Sequence, residues 1–231
     1  MEAIILAGGL GTRLRSAVPD LPKVMATVGS RPFLEIVLER LAAGGVTKVI
    51  LAVGYLRDMI KTHFGGKFES VDLLYSEEAE PLGTGGAIMK AFAMIQGENC
   101  LVLNGDTYFE LDYHQMWQLH VEQHATITIA LRHVENAGRY GLVEVKNGKV
   151  QSFREKGTSG AGYINAGVYV VSRHIFDYVK LPKRFSFETD YLARYVSSVV
   201  PLACPAQGNF IDIGVPESYA QAQTVIACSK K

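Results

Sequence analysis

The apolar positions of the first hundred residues alternate between short strand-like runs and longer stretches with helical spacing. Glu2 to Leu6 is short and unalternating, as a strand buried on both faces is. Thr47 to Val53, Val71 to Tyr75 and Cys100 to Leu103 predict three further strands. Between them, Pro32-Phe33 opens a helix with apolar residues at Leu34, Val37, Leu38 and Leu41, and Gly44-Gly45 ends it. Further helices are predicted from about Arg57 to Phe64, stopped by Gly65-Gly66, and from Ala87 to Ile95. Strand–helix alternation with short connections implies a right-handed parallel sheet whose ligands sit at the carboxyl ends of the strands.

The pattern changes after residue 110. A helix over Leu111 to Ala125 precedes a strand at Thr126 to Leu131, with β-branched residues at every other position. Leu142 to Val145 and Val150 to Phe153 form a hairpin through Asn147-Gly148. Ser186 reads as a helix N-cap, with Glu188 and Asp190 in the first turn complementing the dipole. A strand is expected near Ser198 to Leu202, and Pro216 opens a last helix ending near Ala227. The expected fold is α/β and Rossmann-like: a mixed, mainly parallel central sheet flanked by helices, with a smaller β-hairpin-containing lobe. Residues 1–231 form one domain, with halves of about 1–110 and 111–231.

The first strand empties into Leu6-Ala7-Gly8-Gly9-Leu10-Gly11-Thr12-Arg13, and Pro22-Lys23 follows. A glycine-rich loop at the end of a buried strand turns backbone N–H groups toward a phosphate chain. Arg13 adds a forked cation suited to phosphate oxygens, and Lys23 a point charge. Neither common phosphate loop matches. No lysine directly follows a glycine here, as a P-loop requires, and position 14 is Leu where the dinucleotide fingerprint needs its last glycine. The next strand also runs into Gly54-Tyr55-Leu56 without an acid for a ribose.

Leu6 to Leu14 together with Pro22-Lys23 resembles the opening of the sugar nucleotidyltransferases, which join a nucleoside triphosphate to a sugar 1-phosphate. The resemblance extends along the chain. Glu77-Glu78-Ala79-Glu80-Pro81-Leu82-Gly83-Thr84-Gly85-Gly86 is similar to the family loop that edges the nucleobase. A carboxylate there can accept from the adjacent N1–H and N2–H of guanine, which favours GTP, with Glu78 ahead of Glu80 by spacing. Asn104-Gly105-Asp106 ends the fourth strand, where an isolated aspartate is as much a turn former as a metal ligand. The resemblance makes Asp106 a magnesium ligand and Asp212, in Phe210-Ile211-Asp212-Ile213-Gly214, its partner. It also implies that Tyr140, Gly141, Glu155, Lys156 and Asn165 bind the sugar phosphate. The nucleotide would be held by Leu6, Ala7, Gly8, Gly9, Gly11, Thr12, Arg13, Lys23, Glu78, Glu80, Gly83, Thr84, Asn104, Gly105 and Asp106.

The implied reaction is attack by a sugar 1-phosphate oxygen on the α-phosphorus, with Mg²⁺ as cofactor and Arg13, Lys23, Lys156, Asp106 and Asp212 as its catalytic groups. The chain is similar in particular to the short bacterial heptose 1-phosphate guanylyltransferases of this family. Mannose 1-phosphate guanylyltransferases and muramate or glucose uridylyltransferases share most of the motifs. A non-catalytic nucleotide-sugar-binding subunit should have lost a phosphate or metal residue, and none is missing.

Bulk properties narrow the partners. Charges balance at 23 basic and 23 acidic, which argues against a nucleic-acid footprint or a membrane surface. Cys100, Cys204 and Cys228 are too scattered for a disulfide framework or zinc site. No apolar run reaches the roughly 18 residues of a membrane span, and no signal segment is evident. A cytoplasmic monomer or homodimer is expected. His114, His120 and His124 read as the solvated side of a helix.

Overall fold

The computed structural model describes residues 1–9, 11–14, 17–154, 157 and 160–228. From β1 (Glu2–Leu6) the chain passes through the glycine loop and a 3₁₀ turn at Lys23–Met25. A small antiparallel pair follows, β2 (Thr27–Val28) and β3 (Arg31–Pro32). Then come α1 (Phe33–Ala43), β4 (Lys48–Val53), α2 (Arg57–Phe64), β5 (Lys67–Phe68) and β6 (Val71–Glu77). α3 (Gly83–Ala91) and β7 (Asn99–Asn104) complete the first half. The second half holds β8 (Thr107–Phe109), α4 (Tyr113–Glu122), β9 (Ile127–Val134), the hairpin β10 (Val143–Lys146) and β11 (Lys149–Phe153), and β12 (Gly162–Ser172). A π-helical stretch, Phe187–Leu192, runs into α5 (Ala193–Val199), followed by β13 (Leu202–Ala206), β14 (Phe210–Asp212) and α6 (Pro216–Cys228).

Among the described residues the main sheet has ten strands, in the order β10-β11-β13-β9-β12-β7-β1-β4-β6-β5. β7, β1, β4 and β6 are parallel neighbours, as the strand–helix alternation predicts. β12 pairs antiparallel with both β7 and β9, so strands from both halves share one sheet. β1 is flanked by β4, the next long strand of the chain, and by β7, a much later one. That reversal of strand order makes a crevice at the carboxyl ends of β1 and β7, where Leu6 stands opposite Asn104.

The unalternating strands have a simple cause: both faces are covered. Ala3 and Ile5 pack in one core with Phe33, Leu34, Val37, Leu38 and Leu41 of α1. Ile4 points the other way, into a second core with Ala87, Ile88 and Ala91 of α3. With side chains alternating across each strand, a helix on either side demands an apolar residue at every position.

Three expectations need correction. α3 begins at Gly83 rather than Ala87, because Phe185 packs against its first turn: a Cβ on Gly85 would lie 2.1 Å from that ring. The residues expected as a strand near 198–202 continue α5 to Val199, and β13 starts only at Leu202. Val199-Val200 has strand-like composition, but Val200 adopts a left-handed conformation that ends the helix. β13 tolerates Pro205 because its ladder to β11 is confined to Leu202, leaving that side of the strand without a partner for the missing N–H.

The third correction is His120. It is 1% exposed rather than solvated, with Nδ1 2.9 Å from Thr128 Oγ1 and Nε2 3.2 Å from Asn99 Oδ1. Burial lowers its pKa to about 4. The folded state therefore resists protonating it, and its contribution is fully present above the unfolded value near 6.5 and lost as pH falls toward 4. About 3 kcal/mol should go across that window, at 1.36 kcal/mol for each pKa unit. Urea denaturation at pH 7 and pH 4.5 checks this: His120→Gln should lose much less stability between the two than the unaltered chain.

Candidate active site

A cavity of about 570 Å³ opens across the carboxyl ends of β1, β4, β6 and β7. Of the expected nucleotide residues, Leu6, Ala7, Gly8, Gly9, Lys23, Glu78, Glu80, Gly83, Thr84, Asn104 and Asp106 line it. The walls owe their closeness to backbone pairing. Ala7 N–H donates to Ala52 O at 2.8 Å, Glu78 N–H to Val53 O at 2.8 Å and Gly105 N–H to Leu6 O at 3.0 Å. Gly105 thus sits behind the wall and fixes the residue that follows it. Thr12 and Arg13 are exposed, and Gly11 packs beside Lys23, its hypothetical Cβ 3.2 Å from Lys23 Cβ.

The two candidate acids in the base loop differ. Glu78 is half-buried; its Oε2 accepts from Leu82 N–H at 2.9 Å, and burial raises its carboxyl above the usual range. Arg57 donates to the Glu78 carbonyl at 3.1 Å and also lines the cavity. Glu80 is exposed and ion-paired with Lys183, which holds its pKa down. Of these two acids, Glu78 is the one whose carboxylate is partly withdrawn from water.

Asp106 and Asp212 are far apart in sequence and meet through a small ladder. β8 and β14 pair antiparallel with Thr107 opposite Asp212, and Ile213 N–H donates to Asp106 O at 3.0 Å. Lys23 Nζ donates to Asp106 Oδ2. A Cβ on Gly214 would stand 2.6 Å from Asp212 Oδ1 and 3.1 Å from Lys23 Nζ, so the ammonium and the Asp212 carboxylate flank the same glycine. Asp212 Oδ1 accepts from Gly214 N–H at 2.7 Å, and Oδ2 from Arg139 at 3.2 Å. Arg139 also reaches Ser218 Oγ at 3.2 Å and lies over the Tyr140 ring at 5.2 Å.

Two carboxylates and no third His, Cys, Asp or Glu gather here among the described residues. That set suits a divalent cation which takes its other oxygens from phosphate and water. A positive group, the Lys23 ammonium, already rests on Asp106. The donors fit the metal.

Tyr140 packs edge-on against Phe210, beside Asp212, with centroids 5.6 Å apart. Gly141 turns the chain there with a φ of +84°. Asn165 lies farther along β12: its Nδ2 donates to Tyr169 OH at 2.8 Å, and that hydroxyl donates to Glu188 Oε1 at 3.4 Å. Glu188 Oε2 accepts from Thr84 of the base loop at 2.7 Å, so an acid expected only to serve its own helix joins the two halves. Glu155 and Lys156 lie outside the described residues. Sequence reasoning gave Arg139 no role, and read Arg57 and Glu188 only as parts of their own helices. Arg139 directly precedes Tyr140 and Gly141, but nothing in that stretch says it meets Asp212.

The nucleotidyl transferase family profile matches residues 2–228. The chain is 44% identical to D-glycero-alpha-D-manno-heptose 1-phosphate guanylyltransferase of Aneurinibacillus thermoaerophilus, over 96% of this chain and 97% of that one. It is 43% identical to the protein of the same name from Campylobacter jejuni, over 95% and 97%. Among solved structures, HddC from Yersinia pseudotuberculosis complexed with GMP-PN superposes with a TM-score of 0.86 at 38% identity, over 96% and 97% of the two chains.

Proposed function

Because the chain belongs to the nucleotidyl transferase family, we propose that it joins GTP to D-glycero-α-D-manno-heptose 1-phosphate, forming the GDP-sugar and pyrophosphate. The observation that carries the reading is the gathering of Lys23, Asp106, Arg139 and Asp212 beside a cavity that Lys23 and Asp106 line together with Glu78. Both relatives of matching length bear the name of that activity, which supports the choice of sugar and base. The expected setting is the cytoplasm, with the product destined for surface polysaccharide; among the described residues no helix is long and apolar enough to cross a membrane.

Both reactants are anions, so the first task is to offset their repulsion. Lys23 and Arg13 meet the triphosphate and the leaving pyrophosphate. Lys156, with Glu155, Tyr140, Gly141 and Asn165, holds the sugar phosphate in line with the α-phosphorus, roles that rest on the family resemblance. One phosphate oxygen forms a bond to the α-phosphorus as the bond to the β-phosphate oxygen breaks. That oxygen is already deprotonated at neutral pH, so no general base is needed. Mg²⁺ held by Asp106 and Asp212 would supply charge neutralisation at the phosphoryl oxygens. Positioning two reactants in line is worth roughly 7–11 kcal/mol.

Glu78 reads the base. Each carboxylate oxygen accepts more than one hydrogen bond, so the bond from Leu82 N–H leaves capacity for guanine N1–H and N2–H. Pyrophosphate release from GTP, ITP, UTP and ATP with a panel of sugar 1-phosphates tests the reading; use of UTP but not GTP would overturn it. Glu78→Gln should lower kcat/KM for GTP about 100-fold, the equivalent of about 2.7 kcal/mol. ITP, which lacks the N2 amine, should lose less. An unchanged preference for GTP in that variant moves the role to Glu80.

A further inference from the structure

Lys23 is held in an unusual place for a residue assigned to bind phosphate. Its ammonium lies on Asp106 Oδ2, its side chain is only 12% exposed, and it sits beside Gly214, whose other neighbour is the Asp212 carboxylate. The 3₁₀ turn that carries it is anchored by buried Val24 and Met25, so the reach of the side chain is set by the fold. Arg139 meanwhile occupies Asp212 Oδ2.

We propose that Lys23 is a tethered stand-in cation, which keeps divalent metal off Asp106 until a nucleoside triphosphate draws the ammonium away. The inference rests on Asp106 being a metal ligand, as argued above. Two carboxylates paired with two basic groups carry no net charge, so a free divalent ion meets a neutral cluster and is repelled by the ammonium it must displace. A triphosphate changes both conditions. It brings negative charge to the cluster and offers the lysine other oxygens, and the flexible four-carbon stem of lysine allows the exchange. Metal and nucleotide then help each other bind by the same factor, because linkage is reciprocal. The device keeps the site from holding an idle metal when no substrate is present.

Mn²⁺ titration of the full chain without nucleotide, with free ion read by electron paramagnetic resonance, tests this apart from turnover. Lys23→Met should bind Mn²⁺ at least about tenfold tighter than the unaltered protein. The gain should vanish when Asp106→Asn is added. Lys23→Gln repeats the measurement with a polar side chain, and circular dichroism shows that each variant is folded. Unchanged Mn²⁺ affinity in both lysine variants overturns the proposal, as does a gain that survives Asp106→Asn. A parallel titration with a non-hydrolysable GTP analogue separates the causes of failure. If Asp106→Asn weakens Mn²⁺ uptake there, the metal role stands and only the stand-in role falls; if it does not, both fall.

Discussion

Asp106→Asn and Asp212→Asn should each lower turnover about a thousandfold, close to 4 kcal/mol of transition-state stabilisation, while the chain stays folded. The size follows from the reaction. In the proposed reaction charge builds on phosphoryl oxygens, and these two carboxylates would hold the cation that offsets it. The fold should survive because asparagine keeps an oxygen in the same place, so Gly214 N–H retains its acceptor at position 212. At position 106 the substitution leaves Lys23 with a neutral partner, but Asp106 itself is 30% exposed, and water can reach the pair. Steady-state pyrophosphate release and thermal melting check the two halves of the claim. Rates within a few-fold of normal in either variant would remove that aspartate from the metal site.

Gly105→Ala should be nearly as damaging by a different route. A Cβ there would lie 2.5 Å from Leu6 O and 2.9 Å from Val24 Cγ1. Leu6 O belongs to β1, in the middle of the sheet, and accepts the Gly105 N–H, so neither side has room to yield. Overpacking of this kind costs about 3 kcal/mol, which for a domain of this size lowers Tm by roughly 6–12 °C. Asp106 is the next residue, and a shift near 1 Å in a reacting group can cost about 100-fold in rate. Calorimetry and kinetics on the same sample measure both. Melting and turnover like those of the unaltered chain would show that the wall at Gly105 is softer than its contacts imply.

Much of this site was legible before any coordinates. The strands of the parallel half carry continuous apolar runs because helices cover both faces, and Gly8, Gly9 and Gly11 sit where the first of those strands ends. Strand ends are where such sheets present ligands, so position and composition pointed to one place. His120 was misread because a histidine at helical spacing looks alike in water or beside Thr128 and Asn99. The pairings of Arg139 with Asp212 and of Glu188 with Thr84 went unseen because the partners are 73 and 104 positions away. Pairing over such distances is a property of the folded topology and leaves no local periodicity. The residues just before β13 were misassigned for a related reason: β-branched valines favour strands in general, but here α5 claims Val199.

The antiparallel seam between β7 and β12 has a mechanical consequence. Val168 to Ser172 hydrogen-bonds along the very strand whose tip bears Asn104 and leads to Asp106. The floor under the cavity is therefore a single stiff plate, not two jaws on a hinge. Any tightening around bound reactants must come from parts of the chain outside that plate.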